Sequence, residues 1–143
     1  MATRSQTPAL ASEVRITVMR LARRLRSQRA LTGLSIGYIA ALGTIDRNEP
    51  ITARDLAAHE KVTPPSMTKI ISTLEDHGLI TREPHPSDGR QVLLRVSKQG
   101  KAMLAEDRRA RDAWLAQRLA ALTDDEQQIL HEASLLMERL AGS

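Results

Sequence analysis

The chain has 143 residues, of which 41% are hydrophobic and 27% are charged, with no Cys, no Phe, one Tyr and one Trp. This length predicts one domain, and its core must consist of aliphatic side chains and Met. The lack of Cys excludes disulfide scaffolds, thiolate zinc fingers and thiol redox chemistry. The scarcity of aromatic rings excludes a stacking platform for single-stranded nucleic acid. Four scattered histidines (His59, His77, His85 and His131) lack the spacing of metal ligands, so we expect neither a metal nor a cofactor.

The charge is positive overall and unevenly distributed. The 21 basic residues exceed the 17 acidic ones and give a net charge of +4, and 17 of the basic side chains are Arg. Residues 1–34 carry seven arginines and one acid, whereas residues 123–143 carry five acids and one arginine. These ends could pair with each other or with a second copy of the chain. Arginine suits phosphate contacts, but solvated helix faces account for the same composition.

Membrane insertion and export are not expected. Charges interrupt every apolar stretch well before the ~18 residues that a membrane helix requires. The N-terminus also lacks an apolar segment followed by a cleavage site. We therefore expect a soluble, cytoplasmic protein without a membrane partner.

Two amphipathic helices are predicted first. The one over residues 10–25 is indicated by apolar side chains spaced four, three and four residues apart, namely Val14, Val18, Leu21 and Leu25. The next begins after Ser35, a good N-cap, and extends to about Ile45. The sequence after Ile45 is polar and ends in Pro50, which breaks the helix.

Two helix start signals then follow within eleven residues of each other. Thr52 is a predicted N-cap, with Asp55 three residues later. Thr63 is a second N-cap and precedes Pro64, where the missing N–H does no harm. The first of these helices can extend only to about His59. A short helix, a turn of a few residues and a longer helix is the spacing of a helix-turn-helix.

The longer helix has an apolar face and a polar face. Its buried stripe is predicted to be Met67, Ile70, Ile71 and Leu74. The opposite face has small polar residues that allow a helix to approach the floor of a major groove, and we predict that it binds DNA through Pro65, Ser66, Thr68, Lys69, Ser72 and Thr73. A solvated surface is the alternative, although such surfaces usually carry more long charged residues. His77 and Gly78 end the helix.

A β-hairpin is predicted directly after this helix. Leu79–Glu83 and Val92–Val96 have the pattern of strands, and a strong turn sequence separates them. A hairpin in this position is a wing. Arg90 at its tip can enter a narrow, A·T-rich minor groove. Asp88 would orient Arg90, either by pairing with it or by accepting hydrogen bonds from turn amides. The alternative is an ordinary Asp-Gly turn with a solvated arginine.

Two further helices complete the chain. Ser97 begins a long helix that reaches about Leu122, and Thr123 with Glu126 forms a capping box for a last helix through Leu140. The last helix carries an apolar stripe of Ile129, Ala133, Leu136 and Leu140. A winged helix cannot cover the stripes of both terminal helices, so they predict a homodimer.

The predicted fold is mainly α with a small β wing. Residues 1–143 form a single domain in which a winged helix-turn-helix over 35–97 is flanked by dimerisation helices over 9–30 and 98–143. Residues 50–96 contain six basic and six acidic side chains and are therefore neutral. Attraction to DNA then depends on arrangement. We predict that Glu60, Glu75 and Asp76 face away from DNA and that Arg54, Lys69, Arg82 and Arg90 face toward it.

The arginines from Arg20 to Arg29 leave three alternatives open. They can form a solvated face, pair with acids of the last helix across a dimer, or contact DNA that flanks the binding site. Solvated faces of this kind are common.

The order of these elements resembles the MarR family of winged-helix transcriptional regulators. The residues that carry the resemblance run from Ile51 to Leu104, and the most specific are SMTKIISTLEDHGLITR and the wing tip DGR, which matches the Asp-x-Arg of that family. The resemblance implies a homodimer whose terminal helices pack together and two winged helices on a pseudo-palindromic operator in double-stranded DNA.

The resemblance also implies a small-molecule effector, often bound between the dimer helices and the winged helix. By position, Met19, Tyr38 and Trp114 could approach such a pocket; ordinary core packing is the alternative. A phenolic or other lipophilic acid is the expected ligand.

No catalytic set emerges from the sequence. Ser, His and carboxylate residues occur without a Gly-rich phosphate loop, a nucleophile elbow or a metal motif. We predict a sequence-specific DNA-binding regulator, a repressor that acts as a homodimer and is released by a ligand. The alternative is a winged-helix architectural or protein-interaction module without operator specificity.

Overall fold

The computed structural model describes residues 6–28 and 34–142. The elements in chain order are α1 (Thr7–Ser27), α2 (Ile36–Asn48), β1 (Ile51–Thr52), α3 (Ala53–Glu60), α4 (Pro64–Asp76), β2 (Ile80–Pro84), β3 (Val92–Val96), α5 (Lys98–Leu119) and α6 (Asp124–Ala141). The prediction of a mainly helical winged-helix fold is confirmed. None of the described helices is long and apolar enough to span a membrane. The end of the predicted 9–30 helix, with Arg29, and residue 143 lie outside the described residues.

The described residues form two compact units. The winged-helix unit comprises residues 34–108, and the terminal unit comprises residues 6–28 and 109–142. The division falls within α5, after Arg108, and not at the start of that helix. The first part of α5 therefore belongs to the winged-helix unit.

The core of the winged-helix unit is aliphatic, as the composition requires. Its largest fully buried hydrophobic side chains come from α2, α3, α4 and β3, namely Leu42, Ile45, Leu56, Met67, Leu74 and Leu94. Of the stripe predicted for α4, Ile71 is also buried and Ile70 is half-buried. Burial of this one face fixes the rotation of α4 about its axis and leaves the opposite face exposed.

Threonine caps begin both helices of the helix-turn-helix. The Thr52 hydroxyl oxygen accepts a hydrogen bond from the Asp55 amide at 3.1 Å, and the Thr63 oxygen accepts one from the Ser66 amide at 3.4 Å. The left-handed backbone of Lys61, with φ of 54°, ends α3. Gly78, with φ of 71°, follows the last turn of α4 as predicted.

The sheet has three antiparallel strands in the order β1-β3-β2. The hairpin register pairs Ile80 with Val96 and Glu83 with Leu93, and β1 adds Ile51 opposite Leu94. The sequence analysis predicted only the hairpin. It missed β1 because two residues are too few to display strand alternation and because the partner strand lies far along the chain.

The start of α5 packs closely on the loop between α4 and β2. The Ser97 hydroxyl donates to the Gly78 carbonyl at 2.6 Å and accepts from the Gly100 amide at 3.0 Å. A Cβ atom on Gly100 would lie 2.2 Å from the Leu79 carbonyl oxygen. Only glycine permits this approach, so Gly100 sets how closely α5 follows the wing.

An ion-pair cluster joins the end of α2 to α5. The Lys101 ammonium nitrogen lies 2.9 Å from a carboxylate oxygen of Asp46 and 2.9 Å from one of Glu49. The other Glu49 oxygen accepts a hydrogen bond from the Val96 amide at 2.8 Å. Hydrogen bonds donated by Lys101 and by the Val96 amide lower the pKa of Glu49. The hydrogen bonds that Lys101 donates to Asp46, the larger cause, and to Glu49 raise the pKa of Lys101.

The helices of the terminal unit leave their apolar residues exposed. In the described part of the chain, neither α1 nor α6 contains a buried residue. The large hydrophobic side chains on their predicted stripes are between 38% and 73% exposed, except Leu25, which is half-buried. The capping box of α6 is confirmed, since Thr123 and Glu126 exchange two hydrogen bonds.

Candidate nucleic-acid interface

The polar face of α4 is open to solvent along the helix. Five of the six residues predicted to bind DNA are exposed and Thr73 is half-buried; the exposed five are Pro65, Ser66, Thr68, Lys69 and Ser72. They lie opposite the buried side chains of Met67 and Leu74. The side chains of this face therefore have the small size and the polarity of those on a helix that enters the major groove of DNA.

Hydroxyl groups on this face donate their protons within the helix. The Thr68 hydroxyl donates to the Pro64 carbonyl at 3.0 Å, and the Thr73 hydroxyl donates to the Lys69 carbonyl at 3.0 Å. Each threonine oxygen keeps lone pairs for accepting a hydrogen bond, and each side chain also carries a methyl group. Such a face suits the amino groups of adenine and cytosine and the methyl group of thymine.

Acidic residues on α4 are confined to its last turn. Asp76 is exposed and follows Lys69 by seven residues, which places both on the same side of the helix. Asp76 therefore lies on the side of α4 that is predicted to bind DNA, at its C-terminal end, and its direction relative to DNA stays a prediction. A recognition helix contacts bases through its N-terminal residues. Since the acids of α4 lie in its last turn, the first two turns, which would contact bases, carry no negative charge.

Arg82 and Glu75 form an ion pair at 2.7 Å, with both side chains 41% exposed. The sequence analysis placed Arg82 toward DNA and Glu75 away from it. That separation is wrong, because β2 leaves α4 in a direction that brings the two side chains together. Glu60 accepts a hydrogen bond from the buried Thr44 hydroxyl of α2, so its carboxylate is directed toward α2.

Two cations on the helices of the helix-turn-helix are exposed and unpaired. Arg54, on α3, and Lys69, on α4, form no ion pair with any of the residues that the structure describes. In a neutral segment, unpaired cations determine where an anion is attracted.

Asp88 holds the base of the Arg90 side chain at the tip of the wing. One carboxylate oxygen accepts from the Arg90 backbone amide at 3.1 Å and from the Arg90 Nε at 3.5 Å. The other oxygen accepts from the Gln91 side chain at 3.3 Å. The bond from the Arg90 amide is the main cause of the lowered pKa of Asp88. Both predicted contacts of Asp88 are therefore present, and the Arg90 side chain remains 94% exposed.

His85 is a further residue of the wing tip that the sequence analysis did not assign to the site. Its Nδ1 atom accepts hydrogen bonds from the Ser87 amide at 3.2 Å and from the Asp88 amide at 3.0 Å. The tip is closed below by the His85 amide, which donates to the Gln91 carbonyl at 3.3 Å. The sequence did contain a signal for this role, because His85 can accept hydrogen bonds and stands two residues before Ser87 and three before Asp88, the spacing found in Asx turns.

The three predicted effector residues divide between the units. Tyr38 is half-buried and packs against the core of the winged-helix unit. Met19 and Trp114 belong to the terminal unit. The Trp114 ring lies 3.7 Å from the Arg118 guanidinium carbon and 5.6 Å from that of Arg24. Arg24, one of the arginines from Arg20 to Arg29, thus has a cation–π contact with Trp114. The effector pocket itself stays a prediction.

A shallow cleft of about 310 Å³ lies elsewhere in the winged-helix unit. It is lined by Asn48, Pro50, Ile51, Asp55, Ala58 and His59, so it contains none of the three predicted effector residues. No group of three or more His, Asp or Glu side chains in the described part of the chain could hold a metal ion.

An exposed polar helix face after a capped turn, followed by a hairpin with an oriented arginine, defines a winged helix-turn-helix of the DNA-binding type. The MarR family profile matches residues 34–92. An uncharacterised HTH-type transcriptional regulator from Mycobacterium leprae is 44% identical over 131 residues, which is 92% of each chain. The chain belongs to the MarR family of HTH-type transcriptional regulators, a family of DNA-binding proteins and not of enzymes.

Other relatives extend the comparison. The HTH-type transcriptional repressor Rv2887 of Mycobacterium tuberculosis is 28% identical over 77% of each chain. A transcriptional regulator from Pseudomonas aeruginosa superimposes with a TM-score of 0.85 at 30% identity over 99% of each chain. A mutant of MepR from Staphylococcus aureus bound to an oligodeoxyribonucleotide has a TM-score of 0.68 at 16% identity and covers 92% of this chain and 97% of its own. The last similarity concerns the fold alone.

Proposed function

We propose that this regulator is a repressor that binds a pseudo-palindromic operator in double-stranded DNA as a homodimer. The observation that carries the proposal is Arg90, which is 94% exposed and yet held by Asp88 at its amide and its Nε. A side chain oriented in this way loses less conformational entropy on binding than a free arginine. At the tip of a wing it suits a narrow minor groove of strong negative potential.

The face of α4 supports a major-groove contact beside the wing. Its first two turns carry Lys69 and no acid, and its hydroxyl oxygens are short acceptors. Arg54 on α3 is available for a phosphate, as are the positive ends of the peptide dipoles at the start of α4. In this arrangement base contacts give sequence preference and the phosphate contacts fix the register.

The exposed apolar faces of α1 and α6 support the homodimer. Exposed hydrophobic side chains on two helices of one unit are characteristic of an interaction surface. A two-fold dimer places two winged helices on half-sites about one helical turn apart. An operator with two-fold sequence symmetry would match this arrangement.

The sign of regulation rests on the relatives. Rv2887, 28% identical to this chain, is described as a repressor. A dimer that occupies an operator overlapping a promoter would exclude RNA polymerase from that promoter. Repression therefore needs no contact other than those with DNA.

The test is selection of genomic DNA fragments by the purified full-length protein, followed by gel-shift titration of the enriched duplex. One enriched palindrome with half-sites about one turn apart is the expected result. Equal affinity for the enriched duplex and for random DNA would instead support the architectural module.

A small lipophilic or phenolic acid as effector remains a prediction from the family resemblance. Calorimetric titration of the protein with salicylate, together with release of the enriched duplex, tests it. A pocket that involves Trp114 would change the fluorescence of this tryptophan, the single one in the chain.

A further inference from the structure

We propose that His85 is a positioning residue of the wing, which sets the direction of Arg90 through the lone pair of its Nδ1 atom. This inference rests on the proposed function, because it concerns how the wing presents Arg90 to DNA. The geometric basis is the pair of hydrogen bonds that the Ser87 and Asp88 amides donate to Nδ1, at 3.2 and 3.0 Å.

These two bonds determine which nitrogen of His85 carries the proton. A backbone amide can only donate, so Nδ1 must present its lone pair and the proton of the neutral ring must be on Nε2. The Ser87 hydroxyl lies 3.3 Å from the same Nδ1 atom. Since hydroxyl and amides all face one nitrogen, the group cannot relay a proton, and its function is structural.

The hydrogen bonds to His85 and those to Asp88 form a continuous chain from the imidazole to Arg90. The imidazole holds the Asp88 amide, the Asp88 carboxylate holds the Arg90 amide and Nε, and the Gln91 amide donates to the Asp88 carbonyl at 3.0 Å. His85 is half-buried, whereas Arg90 is 94% exposed. A half-buried ring thus fixes the backbone from which an exposed arginine extends.

The first experiment locates the proton without DNA. A two-bond ¹H–¹⁵N correlation spectrum of the full-length protein at a pH of about 8 should show the Nε2–H tautomer for His85. The His77 Nδ1 lies 2.8 Å from the Thr73 carbonyl oxygen, which can only accept, so His77 should show the Nδ1–H tautomer and serves as an internal reference. An Nδ1–H tautomer of His85 would overturn the inference.

The second experiment compares His85→Asn with His85→Ala on the duplex enriched from genomic DNA. The amide oxygen of Asn can accept from the same turn amides, so His85→Asn should keep its affinity within about twofold. His85→Ala should bind about fivefold more weakly, the size expected for the loss of a hydrogen-bonding group. If His85→Ala binds like the wild type while Arg90→Ala is impaired, the inference fails and the proposed function stands. If the wild type itself has no sequence preference, the proposed function fails, and the tautomer spectrum still decides on His85.

Discussion

Arg90 combines a fixed base with a free end, and this combination predicts how DNA binding responds to its removal. Arg90→Ala should lower affinity for the enriched operator by about tenfold or more, with a smaller loss on random DNA, because a minor-groove arginine reads local shape. Arg95→Ala is the matched control, since Arg95 is paired with Glu83 at 2.7 Å. Gel-shift titrations measure both. Equal losses on both DNAs would favour the architectural module.

The pKa shifts of Glu49 and Lys101 give a second prediction for single residues. The pKa of Glu49 is lowered, so its stabilising contribution is present above the ordinary value of 4.5 and is lost as the pH falls through the lowered value. The pKa of Lys101 is raised, so its contribution is present below 10.5 and is lost as the pH rises through the raised value. Lys101→Met should therefore move the pKa of Glu49 upward, as measured by NMR titration. An unchanged Glu49 titration would contradict the pairing.

Residue-level contacts were predictable where both partners lie in one turn. The contact between Asp88 and Arg90 is of this kind, because only Gly89 separates them and the turn sequence is strong. The pair of Arg82 and Glu75 is not, because its formation depends on the angle at which β2 leaves α4.

Helices were easier to predict than strands in this chain. Caps on Thr52, Thr63 and Thr123 depend on local sequence, and each is present. The strand β1 depends on pairing with β3, more than forty residues away, and its two residues show no periodicity. Local signals therefore located the helix-turn-helix, while the third strand required the tertiary structure.

The close contact between α5 and the loop before β2 predicts how a substitution in α5 would change the stability of the protein. Gly100→Ala should lower the free energy of unfolding by roughly 1–3 kcal/mol, because its Cβ would meet a backbone oxygen that cannot move independently. Gly37→Ala is the control, since a Cβ there meets nothing within 4 Å. In a helix it should stabilise by up to about 1 kcal/mol. Denaturant unfolding measures both, and a neutral Gly100→Ala would refute the packing argument.

At the scale of the whole molecule, the exposed apolar face of α6 predicts that one charged substitution on this face would dissociate the homodimer. Leu136 is 56% exposed in one chain, so Leu136→Glu would be harmless to a monomer. We expect it to convert the dimer to monomers at micromolar concentration, because a carboxylate would be buried in an apolar interface. His131→Glu, on the side of α6 opposite the predicted stripe, should remain dimeric. Sedimentation velocity distinguishes the two, and a monomeric wild type would contradict the proposal.

The pattern of ion pairs predicts the salt dependence of binding. Arg54, Lys69 and Arg90 are the unpaired cations of residues 50–96 that the proposed function brings to DNA, which gives three per protomer and six per dimer. The slope of log affinity against log salt should then be about −5. Lys69→Ala should reduce its magnitude by about 2 per dimer. A much steeper slope would show that further cations, such as the arginines of α1, also contact DNA.

The ion pairs of Arg82 with Glu75 and of Arg95 with Glu83 also affect the competition among DNA sites in a cell. A genome offers on the order of 10⁶ or more competing sites, so occupancy of an operator depends on the ratio of specific to non-specific affinity. Neutralising two arginines internally lowers attraction to every phosphate backbone equally and leaves base contacts unchanged. Fewer copies of the protein would then be held on unrelated sequences. A small number of molecules per cell could keep the operator occupied.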